Sequence, residues 1–582
     1  MLTTLHLGNF KAFDDTQSVP VRPLTLVYGP NSAGKSSLIH GLILARQAAE
    51  TGDLDVHRAS VGGDSVDLGG FRQYVHRRDT SRHVEWAMEL DTSHFTGRLA
   101  GLLAAARAVT ARVEIGLAQA ERKRKRQGTD PRTGQTIDIE EPTGEMISVG
   151  DPAIRSFRLE ADSALLLQMS CRPDGRFQLD SLDHQHPVFR GVIRAIVESS
   201  TTTDSLQPSD YEGLDEAVDA IVPDIIAECK GLLPGELVKG EATGTESDGQ
   251  LSLFPISRGR RKEDLAAAVR FFLPRTLDEL LKGVSKAVSA ELDRVQYLGP
   301  LRSYPPRHLA FAQHHDPNWF AGGGYAWDVV RRDERVRQTV NRWLSSSDRL
   351  QTPYELTPVP LFDQAEIERL FSAYVEMFNR DYSGLGVGEE LPEDHPNREH
   401  GFTHALSMDL DSELGWFQDL VTQQGNPEVK ELVLRDMRTE TSVSHRDVGI
   451  GISQVLPVLV SAYGAENRIV AIEQPEIHLH PKLQAELGDV FLESALGERR
   501  NTFLLETHSE HVLLRIMKRM RQTAEGSLPG GCPAVQPEDV MVLYVEPDGP
   551  RSIVREMPLN ERGELAKAWP GGFFEESFDE MF

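Results

Sequence analysis

Residues 24–40, with the sequence LTLVYGPNSAGKSSLIH, constrain the fold of this chain more than any other segment. Gly29, Gly34, Lys35 and Ser36 fill the fixed positions of the pattern G-x-x-x-x-G-K-[ST], which is typical of a phosphate-binding loop. An apolar run before the loop predicts a strand, and an amphipathic run after it predicts a helix. This context favours a nucleotide site over the alternative, a glycine-rich turn that binds nothing.

Each residue type in the loop contributes to nucleotide binding. Glycines let the backbone pass close to a phosphate, and the N–H groups at the start of the helix point toward it. The lysine supplies positive charge to the β and γ phosphates, and the serine hydroxyl is a ligand for Mg²⁺. We therefore expect ATP and Mg²⁺ to bind here, with the nucleotide contacted by Asn31, Ser32, Ala33, Gly34, Lys35, Ser36 and Ser37.

The composition is that of an ordinary water-soluble chain, and its 582 residues suffice for roughly three or four domains. No apolar run approaches the roughly 18 residues of a membrane span, and the N-terminus lacks the layout of a signal peptide. We therefore expect a cytoplasmic protein. The three cysteines are far apart and form no C-x-x-C pair, which argues against a disulfide framework and against a thiolate metal site.

The net charge of −27 argues against a protein that coats nucleic acid over its whole surface. Local basic clusters are nevertheless present at residues 122–126, at residues 258–262, and on a predicted helix that carries Arg515, Lys518, Arg519 and Arg521. Each cluster is either a solvated face or a place where the phosphates of DNA bind. The sequence leaves DNA binding open.

The middle of the chain is interpreted from periodicity alone. Residues 81–190 are expected to form an antiparallel β subdomain, interrupted near residues 123–150 by a flexible hairpin or loop rich in charge, Gly, Pro and Thr. Residues 191–440 are expected to be mainly helical, with a disordered polar stretch at 239–250 and a return to the main domain near 295–302. The chain has no internal repeat and no sustained heptad pattern, so long coiled-coil arms are not expected.

Three further motifs follow in residues 441–582. The first, DVGIGISQVLPVLV at residues 447–460, is a glycine-rich turn at the start of an apolar helix. The second is an apolar strand that ends in Glu473, and a carboxylate at the end of a parallel strand is well placed to bind Mg²⁺. The third is the apolar run TFLLE followed by T-H-S, which contains His508.

Taken in order, these motifs resemble those of OLD-like ATPases and of RecF- and SMC-type ABC ATPases. The sequence NFKAF at residues 9–13 resembles the turn that precedes the nucleotide site in those families. The run EQPEIHLHP at residues 473–481 resembles the E-x-P-E-x-H-L-H-P run of OLD-like ATPases. The resemblance covers residues 1–80 and 290–582.

The resemblance implies an α/β fold, an ABC-type P-loop NTPase head of mixed and parallel sheet with flanking helices. The antiparallel β subdomain and the helical region are then insertions into this head. Residues 1–80 are the expected N-terminal lobe, and residues 441–582 are the expected C-terminal lobe with the signature, Walker B and switch-histidine motifs. The resemblance further implies a homodimer, or a higher even-numbered oligomer, in which two copies enclose two ATP molecules.

The resemblance also implies roles for individual residues. Gly449, Gly451 and Ser453 are expected to bind the γ phosphate of the nucleotide held by the partner copy. Glu473 is expected to bind Mg²⁺ as the Walker B acid. His508 is expected to lie beside the γ phosphate as the switch histidine.

Two residues have alternative interpretations. Gln73 follows the sequence DLGGFR, where ABC-type heads have a residue that senses Mg²⁺ and the γ phosphate; the alternative is a plain surface loop. Arg302 ends the sequence YLGPLR and is expected either near the nucleotide or in a structural ion pair.

One position departs from the ABC pattern. Most ABC-type heads have two acids before the proline, whereas this chain has Glu473, Gln474 and Pro475. An amide orients water but cannot accept its proton at neutral pH, and help from a general base is worth about a hundredfold in rate. We therefore expect slow hydrolysis, unless Glu476 acts as the base.

In the proteins that the chain resembles, an ATP-driven switch controls an effector, often a nuclease encoded alongside, in bacterial defence against phage. The Septu and Gabija ATPases are the comparisons. Some OLD proteins carry a C-terminal TOPRIM nuclease, but only 74 residues follow His508, so we expect a separate effector protein. Two alternatives stay open, namely a RecF-like clamp for DNA repair or chromosome maintenance, and a regulatory module that holds ATP and scarcely hydrolyses it.

Overall fold

The computed structural model describes most of the chain in two compact units. The described residues are 1–129, 136–172, 175–200, 218, 222–229, 231–239, 261–302, 318–346, 349–361, 365, 367–373, 429–443 and 450–574. The first unit comprises Met1–Ser303, His315–Ala326 and Ile450–Phe582, and the second comprises Tyr304–His314 and Trp327–Gly449.

The strands are numbered in chain order, and those from β12 to β14 belong to the second unit. They are β1 (Leu2–Gly8), β2 (Gln17–Pro20), β3 (Leu24–Tyr28), β4 (Val84–Asp91), β5 (Ala108–Thr129), β6 (Thr136–Ala161), β7 (Ala164–Cys171), β8 (Arg176–Leu182), β9 (Ile225–Cys229), β10 (Pro234–Lys239), β11 (Val295–Leu298), β12 (Tyr354–Leu361), β13 (Val429–Asp436), β14 (Thr441–Val443), β15 (Ile469–Glu473), β16 (Thr502–Glu506), β17 (Val540–Asp548) and β18 (Arg551–Glu556).

The α-helices of the described residues are numbered in the same way. They are α1 (Lys35–Thr51), α2 (Phe71–Tyr74), α3 (Gly97–Leu102), α4 (Pro187–Ser200), α5 (Arg261–Asp293), α6 (Tyr325–Arg332), α7 (Glu334–Ser345), α8 (Ile450–Tyr463), α9 (Pro481–Leu496) and α10 (Glu510–Ala524). No helix in the described part of the chain combines the length and the apolar character needed to cross a membrane.

The phosphate loop follows the central region of a sheet with the strand order β11-β15-β16-β3-β17-β18. Neighbouring strands are parallel, except for the hairpin of β17 and β18. Strands β3, β15 and β16 are buried along their whole length, as is typical of parallel strands covered on both faces. Their carboxyl ends meet at one edge of the sheet, where ligands bind in folds of this kind. The expected α/β fold class is confirmed.

A second sheet in the same unit is antiparallel throughout, with the order β10-β9-β8-β7-β6-β5-β4-β1-β2. Nearly every side of helix α1 carries buried residues, because the helix packs between the two sheets. One hydrophobic core includes Leu7 of β1, Leu38 and Leu42 of α1, and Leu504 of β16. The N-terminal hairpin and the phosphate loop therefore share a single core.

The antiparallel sheet extends beyond the expected range of residues 81–190. It contains the N-terminal strands β1 and β2, and it also contains β9 and β10, which lie in the region expected to be mainly helical. That expectation was wrong for these two strands, because segments of five and six residues are too short for periodicity to separate a strand from a helical turn.

The segment near residues 123–150, expected to be a flexible hairpin or loop, belongs to the long hairpin of β5 and β6. Backbone pairing continues through it, from Lys123 opposite Pro142 to Thr129 opposite Thr136. The register shifts between Glu121 and Lys123, where the hairpin has a bulge or irregularity. The flexibility of this hairpin stays a prediction.

The helical expectation holds for much of residues 261–345, where α5, α6 and α7 lie. Helix α5 contains Pro274, which removes one helical hydrogen bond. In the second unit, β12 forms a small antiparallel sheet with β13 and β14 where helix was expected. The side chain of Asn341 on α7 exchanges two hydrogen bonds with the backbone of Leu356 on β12. The polar stretch 240–250 lies outside the described residues.

The C-terminal segment packs aromatic rings against the strand that leads into the phosphate loop. The ring of Tyr28, at the end of β3, lies 5.5 Å from that of Trp569 and 5.7 Å from that of Phe574, both edge to face. Tyr544 on β17 contacts Phe573 at 5.3 Å in the same arrangement. Edge-to-face aromatic pairs are favourable, so this cluster helps to fix the end of β3.

Candidate functional site

The phosphate loop requires glycine at two positions. Gly29 has φ +145° and Gly34 has φ +95°, a backbone region that other residues rarely adopt. A Cβ atom on Gly29 would lie 2.1 Å from the carbonyl oxygen of Val545, and one on Gly34 would lie 2.5 Å from the Cβ of Ala12. The loop is therefore enclosed on its protein side, with its shape set by β17 and the N-terminal turn.

Lys35 is the first residue of α1, and its side chain folds back over the loop. Its Nζ atom donates hydrogen bonds to the carbonyl oxygens of Gly29, at 3.0 Å, and Pro30, at 2.9 Å. Burial lowers the pKa of Lys35, and the nearby carboxylate of Glu506 opposes this shift. The ammonium group is thus held inside the loop that is expected to receive the phosphates.

Glu506, at the end of β16, lies directly beneath the phosphate loop. Its Oε2 atom accepts a hydrogen bond of 2.6 Å from the Ser36 hydroxyl, and its Oε1 atom lies 3.9 Å from Lys35 Nζ. Burial and the charge of Glu473 raise the pKa of Glu506 to about 7, against the opposing effects of Ser36 and Lys35. An acid that the sequence did not single out therefore contacts both functional side chains of the loop.

Glu473 ends the neighbouring strand β15, and its Cα is paired with that of Glu506. Its Oε1 atom accepts a hydrogen bond of 3.0 Å from the hydroxyl of Tyr297 on β11. The same oxygen lies 3.4 Å from Nε2 of His40 on α1. Both contacts of this carboxylate oxygen therefore come from Tyr297 on the edge strand β11 and from His40 on α1, and neither comes from β3.

His40 extends this polar chain to the N-terminal turn. Its Nδ1 atom lies 2.6 Å from Nζ of Lys11, in the sequence NFKAF. Burial lowers the pKa of Lys11 to about 8, although the charge of Glu473 acts in the opposite direction. Burial also lowers the pKa of His40. The N-terminal turn is therefore connected to the carboxylate of Glu473 through one imidazole ring.

Glu476 is 8% exposed, and both of its carboxylate oxygens bind the loop that contains His508. Oε2 accepts a hydrogen bond of 2.8 Å from the Thr507 hydroxyl, and Oε1 accepts one of 2.6 Å from the His508 backbone N–H. Burial raises the pKa of Glu476 in spite of these bonds. Glu476 is therefore suited to hold the loop of His508 in place. Gln474, two residues earlier, is half-buried and has a left-handed backbone conformation with φ +47°.

The ring of His508 has one buried nitrogen, Nε2, without a hydrogen-bond partner in the described part of the chain. Burial and the charge of Lys35 lower the pKa of His508. A neutral imidazole near the lysine of a phosphate loop retains one N–H donor for an added acceptor such as a phosphate oxygen. This arrangement is compatible with the expected role beside the γ phosphate, which stays a prediction.

Arg302 connects the first turns of α8 with the end of β15. Its guanidinium donates hydrogen bonds to the backbone oxygens of Gln454, Glu473 and Gln474, at 3.3, 3.2 and 3.0 Å. The Gln454 side chain donates in return to the Arg302 carbonyl oxygen at 3.3 Å. Arg302 was expected either near the nucleotide or in an ion pair; its described hydrogen bonds go to backbone carbonyls beside the Walker B acid.

The signature segment is only partly described, since Gly449 lies outside the described residues. Helix α8 begins at Ile450, and Gly451 is half-buried in its first turn. The side chain of Ser453 is 1% exposed, so its hydroxyl does not reach the surface of the single chain. Contact between Ser453 and a partner's nucleotide would require this first turn to shift, whereas Gly451 is partly accessible already.

Gln73 lies in helix α2 with an exposed side chain. It lines an open pocket together with Lys11, Asp67, Arg77 and Arg78. A Mg²⁺-sensing role for Gln73 stays a prediction, and the surface-loop alternative agrees with its exposure.

The basic residues predicted on α10 divide into two groups. Lys518 and Arg521 are exposed, as a phosphate-binding face requires. Arg515 and Arg519 instead bind the buried carboxylate of Asp489 on α9, with Arg519 donating two hydrogen bonds of 2.7 Å. Neither alternative, a solvated face or a phosphate-binding site, describes Arg515 and Arg519, because their charges are neutralised inside the protein. The side chains of residues 122–126 and 258–262 lie outside the described ones.

The residues present fit a magnesium nucleotide. A serine hydroxyl and carboxylate oxygens are the ligands that Mg²⁺ prefers, and Mg²⁺ is usually held by one or two carboxylates together with phosphate oxygens. Within the described ranges, no cluster of three or more His, Cys, Asp or Glu side chains is arranged to hold a metal by itself. The free Nε2 of His508 and the buried ammonium of Lys35 are suited to the phosphates.

Glu506 was missed by the sequence reasoning although the signal was present. It ends a fully buried strand directly before T-H-S, as Glu473 ends another. The same criterion, an acid at the end of an apolar strand, selects both residues. Which of the two contacts Ser36 depends on strand order, and β16 lies between β3 and β15.

Two family models match parts of the chain. Residues 250–515 match the family described as "AAA domain, putative AbiEii toxin, Type IV TA system". Residues 535–582 match a family described as "Protein of unknown function (DUF3696)". Comparison with curated proteins gives no significant match.

Solved structures similar to the chain include SMC heads, at low identity and low TM-score. One is an SmcHead bound to the C-winged helix domain of ScpA, with 10% identity, a TM-score of 0.32, and coverage of 96% of this chain and 98% of that one. Another is the SMC head domain from Thermotoga maritima, with 9% identity, a TM-score of 0.29, and coverage of 96% and 99%. The AAA-domain match over residues 250–515 and the phosphate-loop pattern, which lies outside those residues at the end of a parallel strand, both agree with a P-loop ATPase domain.

Proposed function

We propose that the chain is an ATPase of the OLD, RecF and SMC kind, which forms a dimer around ATP and uses binding and hydrolysis as a switch. One observation carries the proposal: Lys35, Ser36, Glu506 and His508 converge at the carboxyl ends of two neighbouring parallel strands. A loop with backbone N–H groups, an ammonium group, a hydroxyl and carboxylates has the donors and ligands that a magnesium triphosphate requires.

When bound, Mg²⁺ would supply charge that stabilises the phosphates in the transition state. Lys35 would supply positive charge to the phosphates, and the Ser36 hydroxyl and the nearby carboxylates would hold the metal ion. The Nε2 of His508, unpartnered among the described residues, would donate to the terminal phosphate when it carries the ring proton, and Glu476 accepts a hydrogen bond from the His508 backbone N–H. Gln474 orients water without accepting its proton, so turnover is slow.

The second half of each site is proposed to come from the partner copy. The backbone N–H groups at the start of α8, including that of Gly451, are suited to bind an anion at a helix N-terminus. The burial of Ser453 implies that closure around ATP includes a shift of this turn. Because Arg302 links the same turns to the Walker B segment, such a shift would be transmitted within each copy.

The defence role rests on resemblance and on the description of the matching family. That description names a putative AbiEii toxin and a type IV TA system. We propose that the ATP-dependent dimer controls a separate effector, such as a nuclease, in defence against phage. The effector would recognise the dimer and not the free chain.

Sizing by light scattering, with and without a slowly hydrolysed ATP analogue and Mg²⁺, tests the dimer. The proposal expects the mass to double with nucleotide for the natural chain and to stay unchanged for Lys35→Ala. A mass that does not respond to nucleotide, measured at concentrations where binding is saturated, contradicts the proposal. Co-purification of a stoichiometric effector with the nucleotide-bound form supports the control of a partner.

A second candidate is a module that holds ATP and scarcely hydrolyses it. The amide of Gln474 favours this candidate, as does the engagement of both Glu476 oxygens with the loop of His508. Stable ATP-bound dimers with negligible phosphate release would support it. Stimulation of turnover by double-stranded DNA without any effector would instead support the RecF-like alternative.

A further inference from the structure

Two acids end neighbouring strands at the site, but only one of them contacts the phosphate loop. The Ser36 hydroxyl donates to Glu506 over 2.6 Å, and Lys35 lies 3.9 Å from the same carboxylate. Glu473, the acid expected from the sequence to bind Mg²⁺, is held instead by Tyr297 and lies next to His40. The question is which carboxylate faces the metal.

We propose that Glu506 supplies the carboxylate on the magnesium side of the nucleotide site, as a direct ligand or through a bound water, and that Glu473 supports it from behind. The inference rests on the proposed function, because it assigns a residue to the metal of the same nucleotide site. The acid on the magnesium side is then the one that ends β16, whereas the sequence pattern places it at the end of β15.

Ser36 marks the side of the phosphate loop on which Mg²⁺ is expected. In P-loop enzymes the serine or threonine of the loop binds Mg²⁺, and the metal is completed by a nearby carboxylate and phosphate oxygens. An atom bound to Ser36 Oγ is within reach of the Glu506 carboxylate, since that carboxylate lies only 2.6 Å from Oγ. Strand β16 is adjacent to β3, whereas β15 is one strand further away.

The partners of Glu473 carry the second step. The hydrogen bond from Tyr297 occupies one of its oxygens, and His40 lies 3.4 Å from the same atom. His40 is in turn fixed by Lys11. With these contacts, Glu473 is suited to orient the residues around it and to add negative charge near the metal. Residues that contact metal ligands without binding the metal commonly have this role.

The electrostatics agree with this assignment. Glu506 is buried beside Glu473, whose charge disfavours ionisation of Glu506, and the Lys35 ammonium, 3.9 Å from Glu506, offsets this excess of negative charge only in part. A divalent cation at Ser36 would neutralise this excess, and the ammonium of Lys35 would then be released toward the phosphates. Glu506 therefore connects metal binding to the position of the loop lysine.

The test is the magnesium dependence of nucleotide binding, measured with a fluorescent ATP analogue in Mg²⁺ and in EDTA. Glu506→Gln keeps the size of the side chain and a hydrogen-bond partner for Ser36 but removes the charge. The ratio of nucleotide affinity in Mg²⁺ to that in EDTA should be at least tenfold smaller for this variant than for the natural chain. Its affinity in EDTA should be unchanged or higher. Glu473→Gln should lose less, and Glu525→Gln, an exposed acid at the end of α10, should lose none.

A second readout uses Mn²⁺ as a paramagnetic probe with ADP. Electron paramagnetic resonance should show weaker Mn²⁺ binding for Glu506→Gln than for Glu473→Gln, with Glu506→Asp intermediate because it keeps the charge on a shorter side chain. The thermal unfolding midpoint of each variant reports whether it is folded. Full Mg²⁺ and Mn²⁺ responses in a folded Glu506→Gln, or a loss confined to Glu473→Gln, would overturn the inference.

Different results would overturn the proposed function and the assignment of Glu506. If the natural chain binds no nucleotide in Mg²⁺ or in EDTA, or if Lys35→Ala binds as well as the natural chain, the proposed function is wrong. If the natural chain binds and responds to Mg²⁺, while Glu506→Gln responds equally, only the assignment of Glu506 is wrong.

Discussion

The hydroxyl of Ser36 and the carboxylate of Glu506 are 470 positions apart in the chain and 2.6 Å apart in space. This contact joins the first turn of the helix after the phosphate loop to the end of β16, and so unites the N-terminal and C-terminal motifs in one pocket. The phosphate loop and the strand end that precedes His508 therefore lie together within a single copy of the chain.

Replacing Lys35 with alanine should remove nucleotide binding while leaving the fold intact. The desolvation cost of burying the Lys35 ammonium opposes the stabilisation from its two hydrogen bonds to loop carbonyls and from Glu506, so we expect the variant to stay folded. Removing the positive charge at the β and γ phosphates should lower ATP affinity at least tenfold. Titration with a fluorescent ATP analogue measures the loss, and an unchanged unfolding midpoint serves as the control. An unaltered affinity would contradict the assignment of the loop.

Replacing Gln474 with glutamate should raise ATP turnover. If the amide occupies the position of the general base, a carboxylate there should accelerate hydrolysis by about a hundredfold. Phosphate release under saturating ATP and Mg²⁺ measures the effect. A turnover that does not change would show that Gln474 does not face the attacking water.

Replacing Glu476 with glutamine should loosen the loop of His508. The new amide presents N–H groups to one of the two donors that Glu476 accepts from, Thr507 or the His508 backbone. Leaving a buried donor unpaired costs about 1–3 kcal/mol, so we expect a loss of that size in the free energy of unfolding. Denaturant titration measures it, and hydrogen exchange at residues 507–509 should increase. Unchanged stability and exchange would contradict the holding role of Glu476.

The buried ion pairs of Asp489 predict a large effect on stability. Asp489 is 2% exposed and binds both Arg515 and Arg519. Replacing it with alanine leaves Arg519 without its carboxylate partner, whereas Arg515 keeps its ion pair with Glu486. Breaking such a pair costs about 3–5 kcal/mol. The matched control is Glu466→Ala, which removes an exposed partner of Arg499 and should cost about 1 kcal/mol or less. Equal losses in the two variants would be inconsistent with this account.

The same carboxylate predicts a pH dependence. Burial tends to raise the pKa of Asp489, but the hydrogen bond from Arg519 and the charges of Arg515 and Arg519 outweigh it and hold the pKa below its ordinary value. The stabilisation is therefore fully present above the pKa of an unfolded aspartate, about 4, and is lost as pH falls through the lower folded value. The difference in unfolding free energy between the natural chain and Asp489→Asn should be constant above pH 5 and shrink below pH 4. A difference that grows in acid would refute the sign.

The fold was predictable where local pattern and tertiary position agree. The apolar run before the phosphate loop and the helix after it form as β3 and α1, because a buried parallel strand and an amphipathic helix each have a clear sequence pattern. The turn residues Pro547, Asp548, Gly549 and Pro550 likewise indicate a hairpin, and the chain has one there between β17 and β18. The short strands β9 and β10 were not predictable, because their pairing with the antiparallel sheet is decided by distant residues.

The sequence was sufficient to predict which strand ends form the site, but it was not sufficient to predict which side chains contact each other there. Acids at the ends of apolar strands indicate the edge where a ligand binds, and this rule selected Glu473. The rule does not say which strand lies next to the phosphate loop, and so the contact of Glu506 with Ser36 was missed. The pairing of Arg515 and Arg519 with Asp489 was missed for a similar reason, because a basic run shows charge but not its partners.

The central claim is that one copy's phosphate loop and another copy's signature segment form a single ATP site, and mixing two defective variants tests it most directly. Lys35→Ala lacks nucleotide binding but keeps the signature. Gly451→Asp keeps the phosphate loop but places a negative charge at the signature, where a Cβ meets only the His478 oxygen at 3.4 Å and Leu479 at 3.6 Å. The two variants carry different affinity tags.

With ATP and Mg²⁺, neither variant should dimerise alone, whereas the mixture should form a hetero-dimer that either tag captures, because one complete site is restored. Differently tagged copies of the natural chain are the positive control, and unfolding midpoints confirm that both variants are folded. No capture from the mixture under conditions where the natural chain dimerises, or ATP-dependent dimers of Lys35→Ala alone, would contradict the composite site.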